Sequence, residues 1–261
     1  MAGMFNFWKK KKTEDIYGPL YADMHSHLIP GIDDGSPDME TSLAMIEALR
    51  EAGFRKLITT PHIMWDMYKN TAPGILAGLE ELKKEVDARG IDVEVSAAAE
   101  YFLDDYVKEL LRKKEPLLTV SKNMVLVEFS LASPPLDLKE LLFEMQLQGY
   151  LPIIAHPERY IYSERNKTFF TELKAAGYLF QLNLFSLGGI YGKATANLAH
   201  FLLKNDFMTW WAPTYITNDN WMLFLILPYF PLYPRYSKKK IIKSFFMIPE
   251  QMIWCNCILS I

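Results

Sequence analysis

Between Leu20 and about Phe207 the chain repeats one pattern: a short apolar run with strand character, then an amphipathic stretch. Such alternation builds βα units around a parallel sheet and excludes an antiparallel sandwich. The strand candidates are Leu20 to Met24, Lys56 to Thr60, Val93 to Ala99, Met124 to Phe129, Pro152 to Ala155 and Leu179 to Leu184. Helices are predicted over Met39 to Ala52, Ile75 to Arg89 and Leu136 to Gln148. Ser36 can cap the first of these, with Pro37 suited to its opening turn and Gly53 to its end. The fold class is α/β.

The residues directly after each strand are more telling. The first strand runs into His25-Ser26-His27, the second into Thr60-Pro61-His62 and the third into Glu100; the fourth reaches Glu128, and the fifth gives His156-Pro157-Glu158-Arg159. In a barrel of parallel strands those ends converge on one face, which carries the active site. Imidazoles and carboxylates gathered there suit Zn, Mn or Fe, and a carboxylate can bridge two ions. The His-x-His pair is expected to point both rings one way, because residues i and i+2 align along an extended strand. Four of the chain's five histidines fall directly after predicted strands, a placement that scattered core or surface histidines would seldom share. The fifth, His200, sits late in a helical stretch and reads as structural.

Glu128 interrupts the apolar run Val125-Leu126-Val127, and Glu100 follows three small alanines that would leave room for an ion. A carboxylate buried in a strand must be paired, metal-bound or neutralised. A salt bridge to Arg159 or a lysine is the alternative. Asp33-Asp34-Gly35 can supply a ligand, Asp34 being the candidate, or simply form a turn. For Arg159 the choice lies between a fork of donors for an anion and a structural pair with Glu158 or Glu164.

Composition narrows the function. Lys plus Arg number 28 against 31 for Asp plus Glu, a net charge of -3, which argues against nucleic acid held by phosphate contacts. The two cysteines, Cys255 and Cys257, are too close in sequence for a usual disulfide, so a reducing, cytoplasmic setting is expected. Met222 to Phe230, the longest apolar run, is broken by Pro228 and is far shorter than the ~20 residues of a membrane span. Residues 1–19, with the run Lys9 to Lys12, read as a solvated leader without the apolar core of a signal peptide.

The segments His25-Ser26-His27-Leu28-Ile29-Pro30-Gly31-Ile32-Asp33-Asp34-Gly35, Thr59-Thr60-Pro61-His62, Ala98-Ala99-Glu100, Leu126-Val127-Glu128-Phe129 and Ile154-Ala155-His156-Pro157-Glu158-Arg159-Tyr160 together resemble the polymerase-and-histidinol-phosphatase (PHP) superfamily. More narrowly, they are similar to the bacterial metal-dependent tyrosine-protein phosphatases encoded with capsule and exopolysaccharide genes. The resemblance covers Tyr21 to Asp206. It implies a distorted (β/α)7-type barrel, a TIM-like variant, over residues 20–207. It further implies two or three divalent ions, typically manganese, that hydrolyse phosphotyrosine on the tail of a partner tyrosine kinase. Carried over by position, the metal ligands are His25, His27, Asp34, His62, Glu100, Glu128 and His156, and Arg159 faces the substrate phosphate. Oligomeric state is left open.

One departure stands out. The family pattern closes with a strand ending in Asp-x-His, whereas here Met208-Thr209-Trp210-Trp211-Ala212-Pro213-Thr214-Tyr215-Ile216 contains no such pair. Codons for Trp211 to Ile216 can be TGG GCx CCx ACx TAy ATh; read from the last base of the first, they permit Gly-Thr-Asp-Ile-His. Residues 208–261 are therefore expected to be an out-of-frame tail, with the last strand and helix of the barrel missing or disrupted and activity impaired. Two other readings stay open: a small-molecule phosphoesterase such as a histidinol-phosphate phosphatase, and a non-catalytic remnant that still binds a kinase.

Overall fold

The computed structural model describes residues 22–164 and 166–212. The leader at 1–19, and everything beyond 212 in the proposed tail, fall outside the described residues. Nine strands and seven α-helices alternate along this stretch. The strands are β1 (Ala22–Ser26), β2 (Lys56–Thr59), β3 (His62–Ile63), β4 (Glu94–Ala97), β5 (Glu100–Phe102), β6 (Met124–Glu128), β7 (Leu151–Ala155), β8 (Leu179–Asn183) and β9 (Trp210–Ala212). The helices are α1 (Met39–Glu51), α2 (Ala72–Ala88), α3 (Asp105–Lys113), α4 (Leu138–Leu147), α5 (Thr168–Ala175), α6 (Leu184–Leu187) and α7 (Lys193–Lys204).

Every strand pair is parallel, in the orders β1-β2-β4 and β3-β5-β6-β7-β8-β9. The two sheets are one wall broken twice. Pro61 separates β2 from β3, Ala98-Ala99 separates β4 from β5, and bonds from Ala98 N to Thr59 O (2.8 Å) and Glu100 N to Pro61 O (3.1 Å) carry the ladder across both breaks. Counting β2/β3 and β4/β5 as single kinked staves gives seven positions, and β9 approaches β1 to close the ring. This is the (β/α)7 barrel expected. Its last stave, β9, is three residues long and extends the sheet past Phe207, where the sequence reading ends the barrel.

Two apolar layers hold the wall. Met24, Ile58, Ala98, Leu126, Ile153 and Ala155 cluster together, while Leu57, Val125, Val127, Ile154, Phe180 and Leu182 pack with the helices in the larger core. Phe170 on α5 is fully buried, edge-on to Phe169, Phe180 and Phe207. Phe170→Ala is expected to destabilise the protein by about 3–5 kcal/mol, read as a lower midpoint in urea at unchanged slope.

Helix starts differ in detail from the sequence reading. Asp38, not Ser36, caps α1, its carboxylate accepting from Thr41 N at 2.8 Å. Ser36 instead donates to Asp38 O and accepts from Ser42 Oγ, both at 2.8 Å, bracing the turn before the helix. α2 begins at Ala72, three residues earlier than expected, with Thr71 as cap and proline in its first turn. Among the described residues, no helix is long and apolar enough to cross a membrane.

Candidate metal centre

Glu100, at the start of β5, is fully buried, and both of its oxygens face imidazoles. Oε2 lies 3.0 Å from His25 Nε2, 3.4 Å from His27 Nε2 and 3.4 Å from His62 Nδ1; Oε1 lies 2.9 Å from His156 Nε2. Glu128, at the end of β6, reaches His62 Nδ1 at 3.0 Å and His156 Nε2 at 3.7 Å. Asp34 approaches His62 Nε2 at 3.4 Å. The seven residues singled out as ligands therefore converge on one spot at the ends of different strands. His200 lies on α7 and belongs to none of the candidate donor groups among the described residues.

The approach of the two β1-side histidines differs from simple alternation. Asp23 pairs with Leu57 and Ser26 with Thr59, so β1 carries one residue more than β2 over that interval. This irregularity swings His25, and the two Nε2 atoms end 3.4 Å apart with the rings tilted at 44°. His156 is turned inward by other means. Its φ of +33° is in the left-handed region, directly before Pro157, where extended backbone is the norm. Such a conformation costs about 1–3 kcal/mol, and the surrounding structure holds it, with His156 Nε2 2.9 Å from Glu100 Oε1.

Two carboxylates adjoin the loop after β1, with different tasks. Asp33 accepts from His27 Nδ1 at 2.6 Å and from His62 N at 3.0 Å, and its side chain is wholly buried. Asp34 is 41% exposed and faces His62. The alternative of ligand or turn thus divides between neighbours: Asp33 orients His27 and shapes the turn through Gly35 N, leaving Asp34 free to ligate.

The fit to metal ions can be judged from this geometry. Ligands about 2.0–2.1 Å from one ion are roughly 2.9–3.4 Å from each other at octahedral or tetrahedral angles. The contacts around Glu100 span 2.9 to 3.4 Å. Moreover, His62 Nδ1 is 3.0 Å from Glu128 Oε1 yet forms no hydrogen bond, since the angles do not allow one. A buried nitrogen and oxygen held that close suit a common cation. Three donor groups can hold an ion: His25, His27 and Glu100; His27, Asp34 and His62; His62, Glu100 and Glu128. His156 adds a fourth imidazole beside Glu100.

Electrostatics agree. Burial alone would push the Glu100 carboxyl up, but His25, His62 and His156 outweigh it and hold it well below the usual range. Burial likewise opposes charge on His27, yet Asp33 raises its pKa to about 9. His62 is raised well above the ordinary value, the pull of Glu100, Asp34 and Glu128 exceeding the desolvation that lowers it. His156 goes the other way, because burial dominates there. Without metal, protons neutralise part of the acidic donor set; divalent ions would displace them.

Arg159 ends the short 3-10 turn Pro157–Arg159 after β7, half-buried, its guanidinium carbon 5.0 Å from the centre of the Tyr191 ring. It makes no ion pair among the described residues, with Glu158 or with Glu164. Glu158 is instead buried among uncharged donors, accepting from Asn183 N at 3.0 Å and Ser186 Oγ at 2.7 Å. Tyr68 stacks on His62, ring centres 5.5 Å apart at 14°. Neither tyrosine, nor Gln181 against His25, is singled out by the sequence reading; a glutamine inside an apolar strand run is the available signal.

The match to known proteins agrees with this centre. Residues 21–215 match the family model described as capsular polysaccharide synthesis, CpsB/CapC. The chain belongs to this family. It is 32% identical over 192 residues to the tyrosine-protein phosphatase YwqE of Bacillus subtilis, covering 70% of this chain and 76% of that protein. It is 28% identical to the putative tyrosine-protein phosphatase CapC of Staphylococcus aureus, covering 70% and 75%. In three dimensions it superposes with a TM-score of 0.70 and 28% identity on a structure from work on YwqE from Bacillus subtilis and CpsB from Streptococcus pneumoniae, described as unique metal-dependent tyrosine phosphatases; the match covers 80% of this chain and 90% of that one.

Proposed function

We propose that this CpsB/CapC-family chain is a metal-dependent phosphatase that hydrolyses phosphotyrosine on protein. The observation that carries the reading is Glu100, one buried carboxylate reaching four imidazoles, next to a strand end that presents Arg159 without an ion-pair partner among the described residues. The relatives named above, all tyrosine phosphatases by name, support the substrate class. His25, His27, Asp34, His62, Glu100, Glu128 and His156 would hold the ions, manganese being our choice within a His/carboxylate donor set that also suits iron and zinc. Bound divalent ions lower the pKa of a coordinated water and polarise phosphoryl oxygens.

The chain's own residues do the rest. Arg159 offers a planar fork of donors to the phosphate, and the Tyr191 face beneath it limits the rotamers available to the guanidinium. Hydrolysis by a metal-activated water asks for no thiol nucleophile. The partner we infer is the phosphorylated tail of a tyrosine kinase, in the cytoplasm.

Turnover of a phosphotyrosine peptide with Mn2+, compared with histidinol phosphate, tests the reading. Faster hydrolysis of the peptide is expected; a strong preference for the small ester would reverse the assignment, and retained tail binding without turnover would leave only a docking module. Removing metal with a chelator should abolish turnover and lower the thermal midpoint, because ions bound only by the folded state stabilise it by mass action. Full activity in the chelated protein would count decisively against the reading.

We also read residues 208–261 as translated out of frame. The absence of Asp-x-His from Met208 to Ile216 supports this. Sequencing the encoding DNA decides it: no Gly-Thr-Asp-x-His in either alternative frame would refute the idea.

A further inference from the structure

We propose that Gln181, a buried glutamine on β8, is a positioning residue that sets the ring tautomer of His25 and thereby commits His25 Nε2 to the metal cluster. The orientation of the amide comes first. Gln181 Nε2 donates to Leu182 O at 2.8 Å, and a carbonyl can only accept, so the nitrogen end of the side chain is assigned. Its other end, Oε1, then faces His25 Nδ1 at 2.8 Å. An amide oxygen donates nothing. Nδ1 must therefore carry the hydrogen, and in a neutral ring the lone pair is left on Nε2.

That lone pair points at the right place. His25 Nε2 is 3.0 Å from Glu100 Oε2 and 3.4 Å from His27 Nε2. With a cation between the donors, Nε2 and Glu100 Oε2 both point lone pairs at it, whereas the opposite tautomer would set the Nδ1 lone pair against Gln181 Oε1 at a fully buried contact and turn an N–H toward the ion. The backbone holds the glutamine in position: Gln181 is in register with Ala155 on β7, the residue before His156. His27 is oriented by comparable means, but through the carboxylate of Asp33. The two neighbouring ligands thus have different outer partners, one anionic and one neutral. A neutral partner orients His25 without adding negative charge to a centre that already gathers Asp33, Asp34, Glu100 and Glu128.

This inference rests on the metal-binding part of the proposed function, not on the identity of the substrate. The primary test is made on the full-length chain loaded with Zn2+, which is diamagnetic: long-range 1H–15N correlation spectra of 15N-histidine protein, with His25 assigned from a His25→Gln variant. The wild type is expected to show His25 with its proton on Nδ1. Gln181→Leu should release the ring toward the Nε2-protonated form and weaken Mn2+ binding about 10–100-fold, measured by electron paramagnetic resonance of the free ion. Gln181→Glu keeps an acceptor facing Nδ1 and, with its second oxygen protonated in this buried place, a donor to Leu182 O, and should keep both the tautomer and most of the affinity. Wild-type His25 protonated on Nε2, or a folded Gln181→Leu variant with unchanged Mn2+ affinity, would overturn the proposal. Should Gln181→Leu not fold, the wild-type spectrum and the Gln181→Glu variant still decide. Loss of phosphotyrosine specificity with these results intact would sink the substrate assignment and leave this one standing.

Discussion

Glu100→Gln is expected to lower kcat/KM toward a phosphotyrosine peptide by at least about 10^3-fold, equivalent to roughly 4 kcal/mol of transition-state stabilisation. The substitution preserves volume and one oxygen, so packing against Ala98 and Ala99 need not change. What it removes is the charge and the second acceptor. Both carboxylate oxygens are in use, one toward His25, His27 and His62 and the other toward His156, and an amide presents an N–H to one of those sides. A ring nitrogen meeting an N–H instead of an oxygen must turn or take the wrong tautomer, and the donor set that would hold an ion loses a carboxylate oxygen. Bound Mn2+ per chain, measured alongside turnover, should fall in the variant. Unaltered metal content with unaltered rate would remove Glu100 from the centre and with it the main support for the assignment.

Much of this centre is readable from the sequence because metal chemistry leaves a residue-level trace. Four histidines and two glutamates directly after apolar runs are improbable unless something at the strand ends needs them, and a parallel barrel gathers strand ends without further instruction. Other features stay hidden for equally physical reasons. β3 and β5, with two and three residues, are too short to show any periodicity, so Lys56 to Thr60 and Val93 to Ala99 read as unbroken strands. The breaks at Pro61 and Ala98-Ala99 are what carry His62 and Glu100 into register with one another. Whether Ser36 or Asp38 caps α1 depends on where the chain leaves its turn, and both are good caps. An amide in a strand, such as Gln181, has several bland explanations; only the 2.8 Å contact to His25 separates them. Asp33 and Asp34 are chemically identical neighbours, and burial alone tells them apart.

Gly35→Ala should be the most damaging small substitution in the loop after β1. A Cβ built at this position would lie 2.3 Å from His27 Cβ, 2.5 Å from His27 O and 3.0 Å from Asp33 Oδ1. The first two are atoms at or next to the backbone, which no rotamer change can clear. The turn must open, and its bonds from Ser36 N to His27 O (3.2 Å) and Gly35 N to Asp33 Oδ1 (3.0 Å) oppose that. Opening draws Asp33 from His27 and Asp34 from His62 together, since all four meet across this loop. A misplacement of about 1 Å in a catalytic centre can cost 10^2-fold, and overpacking costs about 1–3 kcal/mol in stability, so kcat/KM and Mn2+ affinity should each fall by roughly 10^2-fold. Gly78→Ala is the control. There the added Cβ meets Ile29 Cγ2 at 2.6 Å, a side-chain atom in the apolar core rather than an atom of a donor residue. It should cost comparable stability while Mn2+ affinity stays near wild type. Equal losses of affinity in the two variants would mean that general destabilisation, rather than the close fit of this turn over His27, explains the effect.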